Sequence, residues 1–187
     1  MSEPVLAPSG AKYEGYCTVE EAGPVGMISL RADLAAAKVA RALRGATGAQ
    51  MPGRLEITSG DKGRVAWMSP DELLLFVDYD RRGATLARLD KALASSHALA
   101  VDVSDARKLL VLRGARAREV IMKLSPADLR GFGPGQFRRT RLAQVAAAFH
   151  MPDENSFEII AFRSYGDYVF KLLANAARPG GEVGFLE

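Results

Sequence analysis

The sequence predicts an α+β fold made of a duplicated β-β-α-β-β-β-α unit. Its two pseudo-symmetric halves carry mainly antiparallel sheets with helices on one side. Three observations carry this reading. The phrase Trp67–Glu72, WMSPDE, returns 82 residues later as Phe149–Glu154, FHMPDE. The same shift lays Met27–Arg31 on Leu109–Arg113, Pro52-Gly53 on Pro134-Gly135, Thr58 on Thr140 and Cys17–Glu21 on Leu99–Val103. Finally, the order of short apolar runs and helical stretches is the same around each copy, and a fixed-period repeat of that kind marks one structural unit made twice.

Each copy opens with two short strands, near 17–21 and 26–31, then near 99–103 and 108–113. These runs are apolar or β-branched with turn residues between them, and Gly23-Pro24 supplies the break in the first copy. A helix follows. Asp33 is placed to cap the first, where Leu34, Ala37, Val39 and Leu43 recur at helical spacing. In the second, Ala117, Val120, Ile121 and Leu124 form one apolar face with the arginines turned outward. Strands near 54–58, 64–68 and 73–78 answer strands near 136–141, 144–149 and 157–162, and helices near 83–94 and 166–177 close the copies. One copy alone is marginal in size, so the reading is a single domain, 1–187, with halves 17–95 and 99–178 and tails 1–16 and 179–187. Pro-Asp-Glu is then a turn between strands in which Pro presets the bend and Asp bonds its own backbone. Trp67 and Phe149 are expected in equivalent places.

Composition bounds the function. The chain has 187 residues, 48% apolar and 25% charged, as in an ordinary globular core. One cysteine, Cys17, excludes an intrachain disulfide and a cysteine-based metal cluster. The start of the chain lacks the basic and apolar regions of a secretory signal, and no run is apolar for about 20 residues, so a soluble cytoplasmic protein is expected. Between Arg113 and Arg141 eight basic residues face only Glu119 and Asp128, a local charge of +6. An RNA-binding reading rests on that window, but no aromatic-rich binding motif accompanies it, and a wet helix face accounts for it.

Catalytic motifs are scarce. His97 and His150 stand 53 residues apart, neither with partners at metal-ligand spacing. Asp102-Val103-Ser104-Asp105 lacks a nearby histidine and reads as a turn. Gly131-Phe132-Gly133-Pro134-Gly135 has a misplaced third glycine and an internal proline, so it reads as a loop into a strand and not a dinucleotide site. Asp153, Glu154 and Glu158 read as solvated carboxylates. No catalytic residue, cofactor-binding residue or metal ligand is assigned in this chain.

The segments VDVSDARKLLVLRGARAREVIMKLSPADL, FGPGQFRRTRLAQVAAAF and FEIIAFRSYGDYVFKLLANA, with WMSPDELLLF, resemble the gamma subunits of heterotetrameric sarcosine oxidase over roughly residues 25–178. The resemblance implies the folate-binding-domain fold of aminomethyltransferases, with the first strands exchanged between the copies. It implies a non-catalytic subunit that assists assembly or stability of a complex oxidising sarcosine to glycine, with tetrahydrofolate as one-carbon acceptor. FAD, FMN, NAD, zinc and tetrahydrofolate are then implied for the alpha, beta and delta partner subunits, and none for this chain. The Lys-Gly-Cys-Tyr-type motif of folate-using relatives is absent, since Cys17 is followed by Thr18-Val19. A stand-alone folate-binding, aminomethyltransferase-like protein is the alternative. Phe132, Phe137, Tyr165 and Tyr168 are the candidate partner-contact residues, on the expectation that they are exposed aromatics.

Overall fold

The computed structural model describes residues 10–184; the ends of the two expected tails, 1–9 and 185–187, lie outside the described residues. The chain begins with β1 (Lys12–Glu14), β2 (Thr18–Glu21) and β3 (Val25–Arg31), then α1 (Ala37–Thr47). Next come β4 (Ile57–Ser59), β5 (Gly63–Ser69), β6 (Glu72–Asp78), α2 (Arg82–Leu93) and β7 (Leu99–Asp102). The second copy adds β8 (Arg107–Arg113), α3 (Ala117–Leu124), β9 (Phe137–Leu142), β10 (Val145–His150), β11 (Ser156–Phe162) and α4 (Gly166–Ala176). Both final helices are preceded by a one-turn 3-10 segment, Tyr79–Arg81 and Arg163–Tyr165.

Two compact units result: a continuous one, Val25–Ser104, and a split one, Met1–Pro24 with Asp105–Glu187. The continuous unit holds the sheet β4-β5-β6-β3-β7 and the split unit the sheet β1-β2-β8-β11-β10-β9; every pairing is antiparallel. These units do not coincide with the sequence copies. The leading strand of the first copy, β2, pairs with β8, and that of the second, β7, pairs with β3. The expected tail also contains a strand, since β1 pairs with β2.

Alternation along the strands decides which residues meet the helices. In the continuous unit Ile28, Leu30, Val65, Leu73 and Leu75 pack with Val39, Leu43 and Leu89 of the two helices. In the split unit Leu110, Leu112, Phe149, Phe157 and Ile159 pack with Val120, Ile121, Val169 and Leu173. Each such side chain, fully buried, contributes about 1.5–3 kcal/mol by leaving water. Asp33 does not cap α1 as expected. Its carboxylate accepts from the Ala35 N–H at 3.0 Å in a turn, and the helix starts only at Ala37. At the other end Gly48, at φ 76°, donates its N–H to Arg44 O at 2.8 Å, the left-handed stop that favours glycine.

The strand ladders refine the repeat. Rows Ile28–Leu75–Val65 and Leu110–Ile159–Phe149 are equivalent, so β8 lies 82 residues beyond β3 but β11 lies 84 beyond β6. Phe149 therefore takes the place of Val65, two residues away from the expected match with Trp67. The two extra residues fall between β8 and β10, because the stretch from Val65 to Leu75 and that from Phe149 to Ile159 are equally long. Pro-Asp-Glu also differs between copies. Asp153 accepts from Asn155 N at 2.9 Å, the expected backbone bond, whereas Asp71 accepts from Arg31 and Ser69 side chains at 2.8 and 2.6 Å.

Candidate functional site

The shift of 84 carries through the closing helices, since α2 starts at Arg82 and α4 at Gly166. It places Arg81, Ala84, Thr85 and Arg88 where the split unit has Tyr165, Tyr168, Val169 and Leu172. Tyr165 and Tyr168 are 48% and 46% exposed, and Phe162 just before them is 44% exposed. Their spacing of three along a 3-10 turn entering a helix puts them on one side. Arg107 lies over the Phe162 ring at 4.6 Å, and Lys108 donates to Asp167 at 3.0 Å, so charged heads surround the rings. Exposed aromatics rimmed by charge are the composition of a protein-contact patch.

Phe132 and Phe137, the other two expected contact residues, are not exposed: they are 2% and 0% accessible. Phe132 folds from the loop after α3 into an aromatic cluster, edge-on to Phe149 at 5.6 Å and stacked on Phe157 at 6.2 Å. Phe137 opens β9 beside His150, with ring centroids 6.4 Å apart. The glycine-rich segment around Phe132 is a loop leading into β9, as its spacing predicted. A second apolar feature was missed in the sequence. Leu99 and Val101, 60% and 42% exposed, lie on the same face of β7, an edge strand of the continuous sheet. Alternation in LAVD was the signal for it. Beside Leu99 lies an open depression of about 560 Å³, lined also by Arg31, Asp33, Asp71 and His97.

The titratable candidates separate into structural pairs. His97 is exposed at that depression. His150 is buried in the split unit, its Nε2 3.0 Å from Glu158 Oε2 across the β10–β11 ladder. Glu158 is thus not the solvated carboxylate expected, because strand register turns it toward the histidine. Asp102 and Ser104 form a strand-exit clamp. Ser104 N and Oγ donate to Asp102 Oδ1 at 3.0 and 2.5 Å, while Met27 N donates to Ser104 Oγ at 2.8 Å. Among the described residues no group of three or more His, Cys, Asp or Glu is placed to hold a metal ion.

The basic window is largely spent inside the split unit. Arg118 donates to the carbonyls of Leu129 and Phe132 at 3.0 and 2.5 Å, and Arg130 pairs with Asp128, whose carboxyl it pulls down to about 2. Lys123 reaches Tyr16 Oη at 2.8 Å and Glu119 Oε1 at 3.3 Å. Glu119 in turn accepts from the Val183 and Gly184 N–H groups at 2.8 and 3.2 Å, docking the end of the chain on α3. Burial opposes the Glu119 charge, but those backbone donors and Lys123 outweigh it and hold the carboxyl below its ordinary range. Cys17 is buried, which raises its thiol, and Gly114 leaves room for its sulfur.

Residues 31–178 match the family described as sarcosine oxidase, gamma subunit family. The chain belongs to that family. A structure of heterotetrameric sarcosine oxidase from Corynebacterium sp. U-96 in complex with pyrrole 2-carboxylate contains a similar chain. The two share 27% identity with a TM-score of 0.80, over 92% of this chain and 90% of that one. The glycine cleavage system aminomethyltransferase T from Bartonella henselae shares the fold at 12% identity and a TM-score of 0.64, over 86% of this chain and 46% of the transferase. The gamma-family chain is thus an α+β protein with the aminomethyltransferase-like folate-binding-domain fold. No curated protein matches it. Among the described residues no helix is long and apolar enough to cross a membrane.

Proposed function

We propose that this chain is the non-catalytic gamma subunit of a heterotetrameric sarcosine oxidase-like complex. In that complex sarcosine is oxidatively demethylated to glycine and tetrahydrofolate accepts the one-carbon unit. The family match over residues 31–178 carries this reading, together with likeness to a chain of a heterotetrameric sarcosine oxidase over nearly its whole length. Alpha, beta and delta subunits are the partners, and FAD, FMN, NAD, zinc and tetrahydrofolate belong to them. The role of this chain is assembly and stability. Phe162, Tyr165 and Tyr168 supply the contact, because aromatic rings bury large area at small entropic cost when a partner covers them. The chain acts in the cytoplasm with its partners.

Co-expression of the four subunits, with and without this one, tests the proposal. The yield of active flavin complex is expected to fall sharply when this chain is omitted. Full recovery of activity without it, or tight tetrahydrofolate binding by the isolated chain in calorimetry, would overturn the assignment.

A further inference from the structure

The α2 face that answers the aromatic face of α4 borders a depression of about 280 Å³, lined by Ala46, Lys62, Arg81, Ala84, Thr85 and Arg88. Three cations and one hydroxyl converge there, and no lining residue carries a carboxylate. Arg88 is oriented by its Nη1–H donating to Gly45 O at 2.8 Å. Lys62 makes, among the described residues, only a long pair with Asp61, 3.8 Å apart, with both side chains exposed. Among the described residues the Arg81 guanidinium and the Thr85 hydroxyl have no hydrogen-bond or ion-pair partner. Thr85 is only 8% exposed, yet its hydroxyl is not sealed from solvent, so it can donate to a group held in the depression.

The fold does not require this cluster. The equivalent positions in the split unit are Tyr165, Tyr168, Val169 and Leu172, which serve the same helix and sheet without a cation. The depression lies between the start of α2 and the last turn of α1, so the two helix dipoles oppose each other there and the three cations set its field. Arg81 presents a planar fork suited to two oxygens of one anion, and Thr85 adds a neutral donor.

We propose that this depression binds a small phosphate-type oxyanion, held by Lys62, Arg81 and Arg88 with the Thr85 hydroxyl donating to one oxygen. The source is inorganic phosphate or the phosphate group of a small metabolite, two forms of the same chemistry. Isothermal titration of the full-length chain with inorganic phosphate and with pyrophosphate, at constant ionic strength, tests it. Saturable one-site binding is expected, weakened at least tenfold by Arg81→Ala and by Thr85→Val. Thr85→Ser keeps the hydroxyl and is expected to keep binding, which separates loss of the donor from loss of the fold. Lys91→Ala, a cation elsewhere on α2, is expected to bind normally. Absence of saturable binding, or an equal loss in Lys91→Ala, would overturn the site and show only a diffuse surface charge. The assignment to the sarcosine oxidase gamma family is untouched by either result.

Discussion

In the continuous unit a cation on the helix reaches the exchanged strand: Arg82 Nε lies 3.2 Å from Asp102 Oδ2 at the end of β7. In the split unit a cation on the strand does it: Lys108 Nζ lies 3.2 Å from Glu21 Oε2 at the end of β2. The ladders make Asp102 and Glu21 equivalent, as they do Gly26 with Lys108, and the helix starts match Arg82 with Gly166. Each unit thus has one long cation and one glycine at the same two positions, but reversed. A side chain on Gly26 would meet Arg82 Cβ at 3.1 Å, and one on Gly166 would meet Lys108 Cδ at 2.3 Å. The repeat therefore keeps an ion pair and a volume in place, not the residues that provide them.

The cores differ in the same spirit. The continuous unit fills its helix-facing layer with aliphatic side chains and leaves Trp67 half-buried at the margin. The split unit centres its layer on Phe132, Phe149 and Phe157, in mutual contact. The largest mutational effect is expected there. Phe149→Ala opens a large cavity and is expected to cost about 3–5 kcal/mol in urea denaturation. Val65→Ala, at the equivalent place, removes less volume and is expected to cost less. Equal losses would break the account of two differently built cores.

The ion pairs come next. Lys108 and Glu21 side chains are 14% and 7% exposed, so Lys108→Met takes the cation from a buried carboxylate, at a cost expected to approach about 3–5 kcal/mol. Burial works against the Lys108 ammonium, but its bonds to Asp167 and Glu21 outweigh that and hold it above the ordinary lysine range. Arg82 and Asp102 are 28% and 34% exposed, where solvent screens the pair, and Arg82→Met is expected to cost about 0–1 kcal/mol. The double variant Gly26→Lys with Arg82→Gly rebuilds the split-unit arrangement. It is expected to be more stable than the two single changes sum to, as a double-mutant cycle would read; additivity would dismiss the exchange of roles.

A smaller effect separates the docked chain end of the split unit from the rest. Because the folded Glu119 carboxyl lies below its unfolded value, its contribution is complete above the ordinary glutamate range. It is lost as pH falls through the lower, folded value. The Val183 and Gly184 amide resonances are expected to titrate with a midpoint below the ordinary glutamate pKa. A midpoint above it would contradict the clamp.

Much of this was legible in the sequence because it depends on spacing. The strand and helix order followed from apolar periodicity and turn residues, and the family from motifs such as Leu109–Arg113 and Phe157–Phe162. The exchange of the first strands, β2 with β8 and β7 with β3, was expected from the family resemblance alone, because alternation in one strand does not encode pairing. What failed depended on register and loop packing. The Trp67–Phe149 match failed because two extra residues between β8 and β10 move the register by two and preserve the inward face. Phe132 and Phe137 looked like surface aromatics beside arginines, yet the loop after α3 and the face of β9 bury both. The Arg81–Arg88 depression was invisible for a similar reason, since Lys62 joins it from a hairpin far along the chain.

The most direct measurement is native mass spectrometry of the complex assembled from the alpha, beta and delta partners with this chain. One copy of each of the four subunits is predicted, and Tyr165→Ser with Tyr168→Ser is expected to shift the population toward assemblies lacking this chain. A stable, active assembly from which the unaltered chain is missing at equimolar supply would contradict its place as the gamma subunit.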